Sequence, residues 1–322
     1  MLSEFDLIAD YFTRPLRRAD RFALGIGDDC ALMTPAPGMQ LAISSDMLVE
    51  GRHFFPHADP QKLGHKCLAV NLSDLAAMGA KPLAFTLSLA LPEADRTWLA
   101  AFARGLFALA DRHDCELIGG DTTKGPFNIC ITIFGEVPPG GALRRDLARV
   151  GDDIWVSGML GDARLALAAY RGECALDDAA QQTAAERMHQ PTPQIALGMR
   201  LRGIANAAID ISDGLVGDLQ HILDRSRVGA SVQVDALPAG PALALQPQAL
   251  RRNFSLAGGD DYELCFTAEP GRRTEVLAAA QEAAVPVTRV GRIEAAPGLR
   301  LQDDSGLPLT LHVNSFDHFR TP

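Results

Sequence analysis

Apolar positions along the chain alternate between helical and strand spacing. Phe5, Ile8, Tyr11 and Phe12 recur at helical intervals over residues 4–13. Residues 40–45 read as a strand that ends at Asp46. Asp59-Pro60 opens the clearest helix. Asp accepts hydrogen bonds from first-turn N–H groups, and Pro lacks a donor that the first helical position cannot use. Leu63, Cys67, Val70 and Leu75 carry that helix to a stop near Gly79, with Asn71 and Asp74 on a face opposite much of the apolar stripe. Residues 83–91 and 127–137 fit long strands, with an amphipathic helix over 95–113 between them. Farther on come a strand at 154–157, helices near 161–171 and 193–202, and a short strand at 205–210. A helix at 214–226 and strands at 230–234, 262–267 and 287–292 follow.

This alternation predicts an α/β architecture with mixed, α+β-like sheets. The run Pro138-Pro139-Gly140-Gly141 interrupts the pattern and divides the chain into residues 1–137 and 138–322. A length of 322 residues suits two domains. Hydrophobic residues at 47% and charged residues at 22% allow each a real core. The net charge is −10, which opposes non-specific nucleic-acid binding, since that needs basic surface. It does not oppose a phosphorylated small molecule when cations intervene. The polar, acidic start Met-Leu-Ser-Glu-Phe-Asp is no signal peptide, and no apolar run is long enough for a membrane span, so a cytoplasmic protein is expected. Six dispersed cysteines without a C-x-x-C pair read as reduced, mostly buried thiols.

Candidate chemistry lies in six acidic stretches: GIGDDCA (25–31), ISSDMLVEGRHF (43–54), NLSDLAAMGA (71–80), IGGDTT (118–123), IDISDG (209–214) and GGDDYEL (258–264). Five of them place an Asp at the end of a strand-like run; Asp74 falls on a helix. Asp and Gly are ordinary turn residues, and each stretch alone fits a turn. Turns do not require the hydroxyls that accompany the acids in Ser44-Ser45-Asp46, Asp121-Thr122-Thr123 and Ser212-Asp213. Hard oxygen donors of this kind suit Mg²⁺, which binds through one or two carboxylates, waters and phosphate oxygens. Aspartates gathered in a cleft would repel ATP, with its charge of about −4, unless several divalent ions neutralised both. The chain has no G-x-x-x-x-G-K-[ST] and no protein-kinase signatures, and Gly25-Ile26-Gly27 does not complete G-x-G-x-x-G. Gly119-Gly120 before Asp121 suits close approach of backbone to phosphate.

In this order the six stretches resemble the thiamine-monophosphate kinase family, from the first helix to the Phe-Asp-His-Phe near the C-terminus. That family is similar in fold to aminoimidazole ribonucleotide synthetase, selenophosphate synthetase and a hydrogenase-maturation protein. The resemblance implies a two-domain synthetase-like fold whose N-terminal halves pair as a homodimer and bind ATP and metal, with the C-terminal half completing the active site. It implies transfer of phosphate from ATP to thiamine monophosphate, with several Mg²⁺ ions. The implied metal ligands are Asp29, Ser44, Ser45, Asp46, Asp74, Asp121, Asp210 and Asp213. Gly120, Asp121, Arg145 and Ser212 match positions that contact ATP, and His53, Asp260 and Phe316 match positions that contact thiamine phosphate. Ser45 stands where Thr is frequent, Asp260 where Glu is common, and Ala103 where an aromatic is usual.

The acceptor is a phosphate oxygen already ionised near neutral pH, so no general base and no covalent intermediate are expected. Transfer then reduces to placement, in-line alignment and charge neutralisation. The remaining readings are a related ATP-dependent synthetase, a metal-dependent phosphatase and a nucleotide-sensing module. A selenophosphate synthetase would need a reactive Cys beside a glycine-rich N-terminal segment, and the maturation protein a C-terminal Cys; this sequence has neither. Asp46→Asn and Asp121→Asn are each expected to abolish turnover while circular dichroism shows an intact fold. Near-normal rates for both variants at saturating Mg²⁺ would remove the metal assignment.

Overall fold

The computed structural model describes residues 3–311. The chain divides into two compact units: residues up to Leu75 with Ala80–Gly140, and Ala76–Gly79 with the residues from Gly141 onward.

In the first unit, α1 (Glu4–Leu7) begins with a capping box, in which Ser3 and Asp6 exchange hydrogen bonds. A wider π-type turn over Ile8–Phe12 continues it. Leu7 and Phe12 are buried and Phe5 is 81% exposed, so the helical periodicity is present but a different face turns inward. A small antiparallel pair, β1 (Phe22–Leu24) and β2 (Leu32–Met33), follows. Then come β3 (Gln40–Val49), α2 (Pro60–Ala77), β4 (Lys81–Leu91), α3 (Arg96–Arg112), β5 (Glu116–Lys124) and β6 (Asn128–Val137). The strands order as β3-β6-β4-β5. Only β4 and β5 pair in parallel, and α3 makes the crossover that parallel neighbours require.

Three sequence expectations differ from the structure in this unit. The strand expected to end at Asp46 continues to Val49, because the ladder with β6 runs on through Met47↔Cys130, Leu48↔Ile129 and Val49↔Asn128. Likewise Asp121 lies inside β5, not at its end. The expected polar face of α2 is not a solvated one. Residues 63–73 are all buried, including Asn71 and Ser73 at 0% exposure. The buried positions run round the whole helix and include His65 and Lys66 as well as the apolar residues. Asn71 offsets its burial by donating to the Cys67 carbonyl at 3.0 Å and accepting from the Asp46 N–H at 3.2 Å.

The second unit contains β7 (Asp153–Ser157), α4 (Asp162–Tyr170), α5 (Asp178–His189), α6 (Ile195–Leu201), β8 (Ala207–Ile211), α7 (Leu215–Ser226) and β9 (Gly229–Gln233). It continues with α8 (Gln248–Ala257), β10 (Glu263–Ala268), α9 (Arg273–Ala283), β11 (Val287–Glu294) and β12 (Gly298–Gln302). Its sheet orders as β12-β9-β11-β7-β10-β8, antiparallel except for β12 with β9. Every residue of β7, β8 and β10 is buried, so these strands lack the polar alternation of a half-exposed sheet. Helices α5, α8 and α9 were not foreseen. Helices α5 and α9 are rich in Ala, and contrast between their buried and exposed positions is weak. No helix among the described residues is long and apolar enough to cross a membrane. All six cysteines are free thiols; Cys67, Cys115 and Cys265 are buried, and Cys30 is exposed.

The two long helices of the first unit touch through glycine. A Cβ on Gly105 would lie 1.8 Å from the Gln61 carbonyl oxygen, and one on Gly64 would lie 2.1 Å from that of Phe102. Both obstacles are backbone, which cannot swing aside as a side chain can. Gly105→Ala and Gly64→Ala are each expected to lower stability by at least the ~1–3 kcal/mol typical of overpacking, read from urea midpoints. An unchanged midpoint would show that α2 and α3 can separate without cost.

Candidate active site

Period-two geometry divides the first unit's candidates between two faces of its sheet. Ser44, Asp46 and Leu48 alternate with the more exposed Ile43, Ser45 and Met47 along β3. Toward α2, the Ser44 hydroxyl donates to Asp74 Oδ2 in a short contact, and the Asp46 N–H is held by Asn71. Toward the other face, Ser45 Oγ lies 2.9 Å from Thr132 Oγ1 and donates to the Ile131 carbonyl at 3.2 Å. Asp121 is in register with Ser88, and Ser88 with Cys130, in the row that contains Met47. Asp121 thus shares the face of Ser45, while Ser44, Asp46 and Asp74 share the other.

Gly120 has φ +147, and a Cβ there would lie 1.9 Å from the Leu87 carbonyl oxygen. The glycine expected to admit phosphate is already required by the close pairing of β4 and β5 at Leu87. His53 Nδ1 accepts the Val49 N–H at 3.0 Å, which leaves the proton of the neutral ring on Nε2. Asp29 is exposed in the loop between β1 and β2, where its N–H is bonded to Asp28 Oδ1 at 2.9 Å.

In the second unit, two motifs nearly fifty residues apart meet. Strands β8 and β10 pair with Ile211↔Glu263 and Asp210↔Leu264, bringing IDISDG beside GGDDYEL. The Asp260 N–H donates to the Ser212 carbonyl at 2.9 Å, and the Tyr262 N–H to that of Ile211 at 2.8 Å. Asp210 is 4% exposed; Ser212, Asp213 and Asp260 are half-buried. Arg145 is exposed, and its carbonyl accepts from Ser226 Oγ at 2.9 Å. Phe316 lies outside the described residues.

Beneath these loops are acids that the sequence reading did not single out. Asp218 of α7 is 3% exposed, and its Oδ2 accepts the N–H groups of Ser212 and Asp213, both at 3.1 Å. Burial, reinforced by the negative charges of Asp210 and Asp213, pushes its pKa up to about 8. A signal was available: Asp218 falls three residues after Leu215 and four before Ile222, on the apolar stripe of α7. Glu263 is 1% exposed and accepts from Ser157 Oγ at 2.6 Å, Arg187 at 2.7 Å and Gln194 at 2.8 Å. Burial raises its pKa and Arg187 opposes the rise. This carboxylate ties α5 and the start of α6 to the sheet.

The donors fit Mg²⁺ by their chemistry, being carboxylates and hydroxyls. Among the described residues, no three His, Cys, Asp or Glu side chains stand together as a metal-holding group. Mg²⁺ does not need such a cage, because waters and phosphate oxygens fill most of its shell.

The same order of elements and acidic loops defines a class. Residues 27–137 match the AIR synthase related protein, N-terminal domain, and residues 149–304 match the corresponding C-terminal domain. The thiamine-monophosphate kinase of Salmonella typhimurium is 47% identical over 99% of each chain. The crystal structure of thiamine-monophosphate kinase from Stenotrophomonas maltophilia K279a is 48% identical, with a TM-score of 0.86 over 93% of this chain and 96% of that one. This chain belongs to the thiamine-monophosphate kinase family. AaThiL, solved in complex with AMPPCP and TMP, is 29% identical, with a TM-score of 0.77 over 89% of each chain.

The Asp218 environment sets a pH dependence. From its ordinary value of 3.8 up to about 8, the folded protein retains a proton that the unfolded chain has lost. Stability therefore falls as pH rises through that interval. Asp218→Asn keeps an oxygen for the two N–H groups and removes the charge. In metal-free protein it is expected to raise the melting temperature at pH 8, with a smaller gain as pH is lowered toward 5. A gain that instead grows on acidification would contradict the assignment.

Proposed function

We propose that this protein phosphorylates thiamine monophosphate with ATP, yielding thiamine diphosphate and ADP by direct, Mg²⁺-dependent in-line transfer. Full-length identity to thiamine-monophosphate kinases carries this reading, and AaThiL in complex with AMPPCP and TMP supports the pair of substrates. The meeting of IDISDG with GGDDYEL agrees with it, since the metal-binding and substrate-binding loops of this reading are hydrogen-bonded to one another.

In this reading Asp29, Ser44, Ser45, Asp46, Asp74, Asp121, Asp210 and Asp213 hold Mg²⁺. Bound Mg²⁺ would neutralise the phosphate oxygens and the charge that develops on them during transfer. Gly120, Asp121, Arg145 and Ser212 face ATP. The guanidinium of Arg145 offers paired N–H donors that match phosphate oxygens. His53 and Asp260 contact thiamine phosphate, as does Phe316. Because the acceptor oxygen is already ionised, the side chains orient and neutralise; none has to remove a proton.

Pairing of two copies through the first unit belongs to the same proposal. Strand β3 is an edge strand that leaves Leu41, Ile43 and Met47 at 41%, 61% and 55% exposure. An exposed apolar edge of this kind invites another chain. A cytoplasmic setting suits six free thiols.

Purified protein incubated with Mg-ATP and thiamine monophosphate is expected to yield thiamine diphosphate and ADP on chromatography, and to lose this activity in excess EDTA. Free phosphate with thiamine would replace the proposal by a phosphatase. No turnover would leave a nucleotide-binding module.

A further inference from the structure

Asp261 is 3% exposed, yet among the described residues its Oδ2 is buried without a hydrogen-bond partner. Its Oδ1 accepts the N–H of Gly161 at 2.8 Å, at the residue that precedes α4. An unsatisfied buried acceptor costs roughly 1–3 kcal/mol, so its presence calls for an explanation. The backbone on both sides is costly too. Asp260 has φ 67 and Tyr262 has φ 52, left-handed conformations that disfavour side-chain-bearing residues by roughly 1–2 kcal/mol each. Tyr262 Oη donates to Asp260 Oδ1 at 3.1 Å, while both residues' N–H groups are fixed to the Ile211–Ser212 backbone. The two strained residues thus lie toward one another, and the acid between them is driven inward.

We propose that Asp261 is a positioning residue for the substrate loop: its buried carboxyl group ties Gly259–Tyr262 to the start of α4 and holds Asp260 in the left-handed conformation from which it meets thiamine phosphate. The proposal rests on the reading that Asp260 contacts substrate. Burial pushes the Asp261 carboxyl well above its ordinary pKa, with Glu263 and Asp260 adding to the rise and Arg187 opposing it. Burial thus favours the neutral form of the anchor, and an amide in its place keeps an oxygen that can accept from Gly161.

The test is steady-state kinetics of the full-length protein with Mg-ATP and thiamine monophosphate. Asp261→Ala is expected to raise KM for thiamine monophosphate about tenfold or more, with KM for ATP changed less than about threefold. Asp261→Asn is expected to keep both constants within about threefold of the parent. An unchanged thiamine-monophosphate KM in Asp261→Ala overturns the proposal. So does an Asp261→Asn variant as impaired as Asp261→Ala, because a charge and not an anchor would then matter. Asp261→Ser, too short to reach Gly161, is the second variant if Asp261→Ala does not fold. Failure of both to fold also overturns it, since Asp261 would then support the whole unit. Asp260→Ala separates the two levels. If it leaves KM unchanged, the substrate reading itself fails; if it raises KM while Asp261→Ala does not, only the anchor fails.

Discussion

The ladder between β8 and β10 carries the acidic end of the second unit, because it places Asp210 opposite Leu264 and Ile211 opposite Glu263. Once those strands pair, the chain has no choice about which loops adjoin. IDISDG leaves β8 at the point where GGDDYEL enters β10, and backbone bonds from Asp260 and Tyr262 extend the pairing past the strand ends. Five acids, Asp210, Asp213, Asp218, Asp260 and Asp261, are thereby brought into one neighbourhood. Self-repulsion among buried carboxylates must be offset, and the unit uses three means. Glu263 gains three donors, one of them the Arg187 guanidinium. Asp218 accepts two backbone N–H groups and takes up a proton. Asp261 accepts one N–H group and is also driven toward its neutral form. A site arranged in this way is poised for cations, since a bound divalent ion removes the repulsion that these devices only reduce.

Much of the architecture was legible because hydrophobic contrast was strong where strands and helices are long. Asp59-Pro60 and Asp95 mark helix starts that the structure contains, and residues 83–91 lie within β4. Contrast fails in Ala-rich segments. In α5 only Ala184, Ala185 and Met188 are buried, and methyl groups scattered among Gln and Thr give no clear stripe. Strand ends were misjudged for a different reason. An Asp following an apolar run looks like a terminus, but Asp46 and Asp121 sit within strands at the sheet's outer positions. Edge strands tolerate charge because their side chains and one row of N–H groups can reach partners other than a second strand.

The acidic motifs were legible as chemistry, but not their supporting layer. Asp218 and Glu263 act through burial, which a list of polar residues does not reveal. Asp218 could have been found as a charge on an apolar stripe. Asp261 could not, since only the left-handed turns at Asp260 and Tyr262 send it inward, and neither residue type announces that conformation.

The division of Ser44-Ser45-Asp46 between two faces changes what the motif means. In sequence the three residues look like one ligand set. In β3 the period of two assigns Ser44 and Asp46 to the side of α2, where Asp74 and Asn71 receive them, and Ser45 to the side of Thr132. Ser45 therefore presents a hydroxyl without a methyl group to the Thr132 face, apart from the Ser44–Asp74 contact. Ser45 shares that face with the exposed side chains of Ile43 and Met47. Neighbouring residues of one short motif thus serve two faces, one packed on a helix and one carrying exposed apolar side chains.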